Sequence, residues 1–289
     1  MLYVFLNIFC CVVIYILFKL SKRYHIDVLQ AVTWSLSANV LLAWFIYKPQ
    51  VSSSIFSTLP NYNYLALGLL LPVMLMLLKS AIQATGIALT VISERLSLFV
   101  PIIASIFIFG NTLNNAQLVA VALGLVAIIC SLPWKKARGT KRSTNAWLYL
   151  LVIFLGMGAV NILLQQTAQL STSYTTSLFI IYVFAFAVSI VLVIIQIFRK
   201  KTKFSIPHIL IGWVLGAATF GSMAFYLEAQ KELNTRPSFV FTAMHIGIIT
   251  GGTLVGLLFF EEKISKMNKI AIFFALIAII IIAKADTIA

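Results

Sequence analysis

Glu94 and Arg95 are an adjacent acid and base inside an apolar run that begins near Gly86. On a helix they lie about 12 Å along that run, approaching the centre of a bilayer. A charge at that depth costs several kcal/mol unless it faces a cavity or a partner, so such residues mark substrate or ion pathways. Were Ser93–Arg95 a loop, Leu96–Phe109 would hold only 14 residues, about 21 Å of helix, too short to cross. Neighbouring residues project about 100° apart on a helix, so the two are not expected to face one partner squarely. The planar fork of a guanidinium matches a carboxylate or phosphate, which suits Arg95 to an anionic substrate group. Glu94 suits a coupling proton. His245 lies at similar depth in a later run, and an imidazole changes charge near neutral pH and relays protons.

Other polar residues interrupt apolar runs: Asn7, Asn39, Asn161, Gln165, Gln166, Ser222 and Tyr226. Amides are costly in lipid and are expected to face the bundle, some tying helices together and others lining a substrate path. Asn39, Asn161, Gln165 and Tyr226 join Arg95 as substrate-binding candidates, and Glu94 and His245 are the proton-coupling candidates. Gly212/Gly216, Gly247/Gly251 and Gly252/Gly256 have the spacing of close helix packing. There is no His-Glu-x-x-His, no Gly-rich phosphate loop and no Gly-x-Ser-x-Gly. Neither Glu94/Arg95 nor Glu261/Glu262 has the spacing of a metal or acid–base site. No catalytic residue, metal or cofactor is expected, and the chain does not read as an enzyme. Cys10, Cys11 and Cys130 lie in apolar runs and read as small buried hydrophobes.

The elements that must position these residues are membrane helices. Of 289 residues, 62% are hydrophobic and 10% charged, with a mean hydropathy of +1.05. That composition excludes soluble, disordered and fibrous classes. Ten apolar runs are predicted as helices, at about 2–18, 28–47, 64–82, 86–109, 116–134, 146–167, 174–198, 207–227, 237–260 and 270–283. They are continuously apolar rather than alternating, unlike an outer-membrane barrel. Trp44, Tyr47, Trp134, Trp147 and Tyr149 stand at run ends, where aromatic rings favour the interface. The first run has no charged leader before it and no small-residue cleavage site, so it reads as a retained helix. The net charge of +14 falls between runs and reads as membrane orientation, not nucleic-acid binding.

The most basic loop, Lys135–Arg142, falls near the midpoint. The fold expected is an all-α integral membrane protein whose ten transmembrane helices form two inverted five-helix repeats. Residues 1–134 form the first repeat, 135–145 the basic inter-repeat loop and 146–289 the second. An interval of 151 residues carries Gly110 onto Glu261, Glu94 onto His245 and Pro101 onto Gly252. In this arrangement 16 Lys and Arg fall on one face and 4 on the other, with Arg95 completing the 21. Positive residues stay cytoplasmic, so both termini are predicted outside, in the cytoplasmic (inner) membrane.

Phe259-Phe260-Glu261-Glu262-Lys263-Ile264-Ser265 resembles the Gly-Glu-basic-apolar-Ser/Thr turn of the drug/metabolite transporter superfamily, EamA-like branch, with Glu262 as the family's acidic residue. In the first half Pro101 and Gly110 fit that family's proline and glycine, and Asn111 replaces the acid. The family usually keeps both termini in the cytoplasm, opposite to the charge count here. The resemblance implies a ten-helix secondary transporter working by alternating access. The function expected is therefore proton-coupled movement of a small polar, in particular anionic, metabolite. The alternatives are a flippase or exporter of a lipid-linked or hydrophobic compound, and a non-transporting scaffold or sensor. The partners expected are a small-molecule substrate and the lipid bilayer, with a homodimer compatible and no nucleic acid.

Overall fold

A computed structural model of the protein describes residues 1–49, 62–109, 115–131, 146–168, 173–199, 206–232, 237–262 and 264–288. Every regular element among them is an α-helix: α1 (Leu2–Arg23), α2 (Val28–Tyr47), α3 (Tyr62–Thr85), α4 (Ile87–Leu96), α5 (Phe99–Phe109), α6 (Asn115–Ser131), α7 (Ala146–Ala168), α8 (Tyr174–Phe198), α9 (Ile206–Glu232), α10 (Pro237–Leu258) and α11 (Lys266–Ile288). Helices are what lipid demands, because all backbone hydrogen bonds close within the segment. Among the described residues, 8 helical segments are long and apolar enough to cross a membrane, one of them running from α4 into α5 as Ile87–Ala104. The chain is a multi-pass membrane protein. α6 is a shorter apolar helix, and α11 runs through 23 residues. Helix ends outrun the apolar runs where polar residues continue a turn, as Lys266–Lys269 do at the start of α11.

The fourth apolar run differs from its expected single helix. It breaks at Ser97–Leu98, between α4 and α5. Pro101 has no N–H to offer the Ser97 carbonyl four residues earlier. The turn tightens instead: Ser97, Leu98 and Val100 donate backbone N–H bonds to the carbonyls of Glu94, Arg95 and Ser97. The Ser97 hydroxyl also donates to the Glu94 carbonyl. The helix that carries Glu94 and Arg95 thus ends one residue after them, at mid-span.

Two contacts define the ends of the bundle. The Met1 amine meets Glu232 at the end of α9 at 3.0 Å. Lys19, near the end of α1, meets Glu262, just after α10, at 2.6 Å. Glu262 also binds the start of α4. Against these Met1 and Lys19 faces, successive segments alternate in direction, with α4 and α5 running the same way.

α9 lies along α2 and α1, α10 along α1 and α4, α3 along α7 and α8, and α6 along α11. Glycines set the closest approaches. A Cβ on Gly216 would stand 2.6 Å from Ala38 Cβ, and one on Gly212 2.7 Å from the Ala31 carbonyl oxygen, so α9 rests on the α2 backbone. Gly247 and Gly251 take Ile8 and Val12 of α1, and Gly252 takes Val91 of α4. The expected packing role of these glycines agrees with this. Gly110, Asn111, the Lys135–Arg142 loop, Lys200, Lys201, Lys203, Arg236 and Lys263 lie outside the described residues.

Candidate functional site

Four polar residues of α1 recur at intervals of four: Asn7, Cys11, Tyr15 and Lys19. Such a row forms a narrow stripe on one side of a helix. It faces α4, α9 and α10 and runs from a cavity to the Lys19 face. The cavity has a volume of about 370 Å³ and lies in the Met1-side half of the bundle. α1 supplies Asn7 and Cys11 to its wall, the α4–α5 break Glu94, Arg95 and Ser97, and α7 Met157 and Asn161. α9 adds Ser222 and Tyr226, and α10 adds Phe241 and His245.

At its base lies a three-membered network. Arg95 Nη2 donates to Glu94 Oε1 at 3.1 Å and to the Tyr15 hydroxyl at 3.0 Å. The Tyr15 hydroxyl in turn donates to Glu94 Oε2 at 3.0 Å. Glu94 and Arg95 therefore share one partner, contrary to the expectation from their 100° separation. Their long side chains bend around the end of α4 to reach it. The Glu94 and Arg95 side chains are 10% and 18% exposed, and Tyr15 is buried. Arg95 Nε is buried without a hydrogen-bond partner among the described residues. A buried donor without an acceptor carries a desolvation cost that an incoming acceptor removes.

The remaining walls are partly committed. Asn7 Nδ2 donates to the Ser222 carbonyl at 2.6 Å, and Asn7 Oδ1 is buried without a hydrogen-bond partner among the described residues. Asn161 Nδ2 donates to Ser97 Oγ at 3.3 Å, across the helix break. The Tyr226 hydroxyl accepts from Gln230 at 2.8 Å. His245 Nδ1 lies 2.7 Å from the Phe241 carbonyl, and its ring packs against that of Phe241, tilted by 32°, at 4.2 Å between centroids. A carbonyl only accepts, so Nδ1 carries the proton in this contact and Nε2 is the protonatable nitrogen.

Five of the seven candidates from the sequence line this cavity: Glu94, Arg95, Asn161, Tyr226 and His245. Gln165 lines an adjoining cavity of about 380 Å³, which shares Leu98, Asn161, Tyr226 and Phe241 with the first. Asn39 lines neither cavity. It ties α2 to α9 through the Thr219 hydroxyl at 3.1 Å, and its amide nitrogen, turned to donate, meets the Gly216 carbonyl at 2.7 Å. Tyr15 and Cys11 were not among the candidates. The four-residue spacing from Asn7 to Lys19 is the signal that carries them.

The Glu262 carboxylate occupies a seat on the Lys19 face. Besides Lys19 it accepts the backbone N–H of Ile87 at 2.8 Å and of Ala88 at 3.4 Å. A carboxylate there caps the first turn of α4 and complements its helix dipole. Asp27 caps α2 in the same way, accepting from the N–H groups of Leu29 and Gln30.

No family model matches the chain. Over 286 residues it is 30% identical to an uncharacterized protein of Haemophilus influenzae, with 97% of each chain covered. The chain belongs to the family of that protein.

Proposed function

We propose that this member of the family is a secondary active transporter, carrying a small polar metabolite with an anionic group across the cytoplasmic membrane by proton-coupled alternating access. The observation that carries the reading is the cavity of about 370 Å³ between membrane helices, with the Glu94–Arg95 ion pair at its base. An ion pair at that depth is held at a cost in desolvation, and charged residues so placed mark substrate or ion paths and proton relays.

Counting α6 and α11 with the eight spanning segments makes ten crossings, in two halves, α1–α6 and α7–α11. The packing supports equivalence of the halves. α1 lies on α9 and α7 on α3; α2 lies on α9 and α8 on α3; α1 lies on α10 and α7 on α4. Each pair becomes the other when the halves are exchanged. α2 with α8, α4 with α10 and α6 with α11 map onto themselves. This is the pattern of a two-fold axis in the membrane plane. The Phe259–Ser265 turn supports a place in the drug/metabolite transporter superfamily.

In the arrangement described, Glu94 and Tyr15 both engage Arg95 Nη2. A proton on Glu94 cancels its charge and loosens the ion pair. The guanidinium, through its unpartnered Nε edge, is then free for a carboxylate or phosphate, which it holds in bidentate fashion. Proton and anion thus favour each other's binding. His245 Nε2 is a second proton acceptor in the same wall. Asn161 and Tyr226 stand between the two cavities and contact substrate passing from one to the other. The adjoining cavity, with Phe99, Pro101, Ile102 and Ile279 in its wall, favours a second reading, export of a hydrophobic or lipid-linked compound.

The test is a thermal-shift screen of the purified protein against small polar metabolites, then flux of each stabilising compound in proteoliposomes with and without a pH gradient. A ligand that binds the native state raises the midpoint by mass action. An anionic compound that stabilises the protein and accumulates with the proton gradient is the expected result. Stabilisation by hydrophobic compounds alone would favour the second reading, and binding without flux would favour a sensor.

Orientation has its own test. Among the described residues, Lys19, Lys22, Arg23, Lys79, Arg199, Lys266 and Lys269 lie toward the Lys19 face, and Lys48, Lys231 and Lys284 toward the Met1 face. This asymmetry supports a cytoplasmic Lys19 face. Cysteines placed at Ser143 and Ser205 are expected to react only from the cytoplasmic side. Reaction in intact cells with an impermeant reagent would reverse the topology.

A further inference from the structure

The cavity lies toward the Met1 face, and the route from it to the Lys19 face is shut by three successive layers of α4 against α10. Nearest the cavity are Glu94 and Arg95, level with His245 and Ile248. Next, Val91 closes on Gly252, where a Cβ would stand 3.0 Å from Val91 Cγ2. Outermost, Ile87 and Ala88 are bound by Glu262.

The outermost layer is a built seat. Glu261 takes a left-handed φ of 50°, unusual for a residue with a side chain. That turn brings the Glu262 N–H onto the Gly256 carbonyl at 2.9 Å and directs the Glu262 carboxylate to α4. The two residues that flank the carboxylate are glycines. A Cβ on Gly86 or on Gly256 would stand 2.7 Å from Glu262 Oε2. Gly86 also needs its freedom for a φ of 94° at the entrance to α4. Lys19 completes the seat, its ammonium 5.9 Å from the centre of the Phe260 ring.

We propose that the seat of Glu262, formed by Lys19, the first turn of α4 and the glycines Gly86 and Gly256, is the latch that holds the transport path closed on the Lys19 face. The proposal rests on the alternating-access reading and adds to it the contact that must break for the opposite face to open. The latch joins three elements at one carboxylate: α1, α4 and the turn after α10. Release of that carboxylate frees the start of α4 from α10 and lets the layers at Val91 and Glu94 part in turn. α1 carries the same stripe past all of them, with Cys11 in the cavity, Tyr15 at its base and Lys19 at the latch.

The experiment needs no substrate. Cys10, Cys11 and Cys130 are replaced by alanine, and Met157→Cys places a single thiol in the cavity wall. A membrane-impermeant thiol reagent is applied to right-side-out and to inside-out membrane vesicles. With the latch intact, the thiol is expected to react from the Met1 face and to be protected from the Lys19 face. Glu262→Gln is expected to raise the rate from the Lys19 face about tenfold and to lower the rate from the Met1 face, the population shift that follows when a closed state loses charge-assisted contacts. Gly256→Ala keeps every charge and displaces the carboxylate, and is expected to act in the same direction, so a folding failure of Glu262→Gln does not remove the test. An unchanged Lys19-face rate in a folded Glu262→Gln or Gly256→Ala variant would overturn the latch alone. Equal reaction from both faces, or none from either, with the latch intact would overturn the alternating-access reading and the latch with it.

Discussion

Arg95→Ala is expected to abolish the thermal stabilisation that any anionic ligand confers on the wild type, and to abolish its transport, while the protein stays assembled. A charge-assisted hydrogen bond contributes about 1.5–3 kcal/mol, so loss of a bidentate pair weakens binding by about 100-fold or more. Assembly survives because Glu94 is left beside the cavity and keeps the hydrogen bond that the Tyr15 hydroxyl donates to it. Arg95→Lys is expected to keep part of the affinity. It retains the charge and loses the planar fork, together with the Nε edge that has no hydrogen-bond partner among the described residues. The measurements are ligand-induced midpoint shifts and proteoliposome flux for wild type and both variants. Normal transport by Arg95→Ala would end the anion-site reading and leave Arg95 as a structural partner of Glu94 and Tyr15.

Glu94→Gln is expected to remove the pH dependence of binding and of net transport while permitting exchange of substrate for substrate. The sign follows from the competition at Arg95. In the wild type an ionised Glu94 engages Nη2 at 3.1 Å, so a neutral side chain at this position leaves the guanidinium freer for an anion. Glutamine keeps the shape and carries no charge, so the variant resembles the protonated wild type at every pH. Its affinity for an anionic ligand at high pH is expected to exceed that of the wild type by about tenfold, the effect of removing one competing ionic contact. The measurement is the ligand-induced midpoint shift across a pH series. His245→Ala in the same series separates the two groups, and is expected to move the pH optimum more than the maximal rate. A Glu94→Gln protein that keeps the wild-type pH profile would exclude Glu94 as the coupling site.

Much of this molecule was legible in the sequence because lipid leaves a chain few options. Long apolar runs with polar punctuation must be helices, since no water is available to satisfy an exposed backbone. The depth of Glu94 and Arg95 followed from residue counting, and so did the need for a cavity or partner to receive them. The 151-residue interval put His245 at the level of Glu94, and both line one cavity. The glycine pairs were readable as close packing because a missing side chain has few other uses inside a membrane helix.

What the sequence by itself determined was thus the helices, their approximate depths and the short set of residues too costly to leave in lipid. Tertiary structure decided which of those residues meet. Asn39 and Asn161 are alike in type and setting, yet one ties α2 to α9 and the other lines the cavity. The difference is the rotation of each helix about its axis, set by the knobs and glycines of its neighbours. Tyr15 is one aromatic among many in an apolar run until the end of α4 is brought against α1, when its hydroxyl joins Glu94 to Arg95. Pro101 stood inside an apolar run expected to be one helix, and only the folded chain ended α4 one residue beyond the ion pair. Glu262 was visible as part of a turn, and its three partners come from positions 19, 87 and 88, far along the chain. Periodicity carries burial and depth because these depend on the surrounding solvent. Pairing across helices depends on shape complementarity between distant segments, which no local pattern encodes.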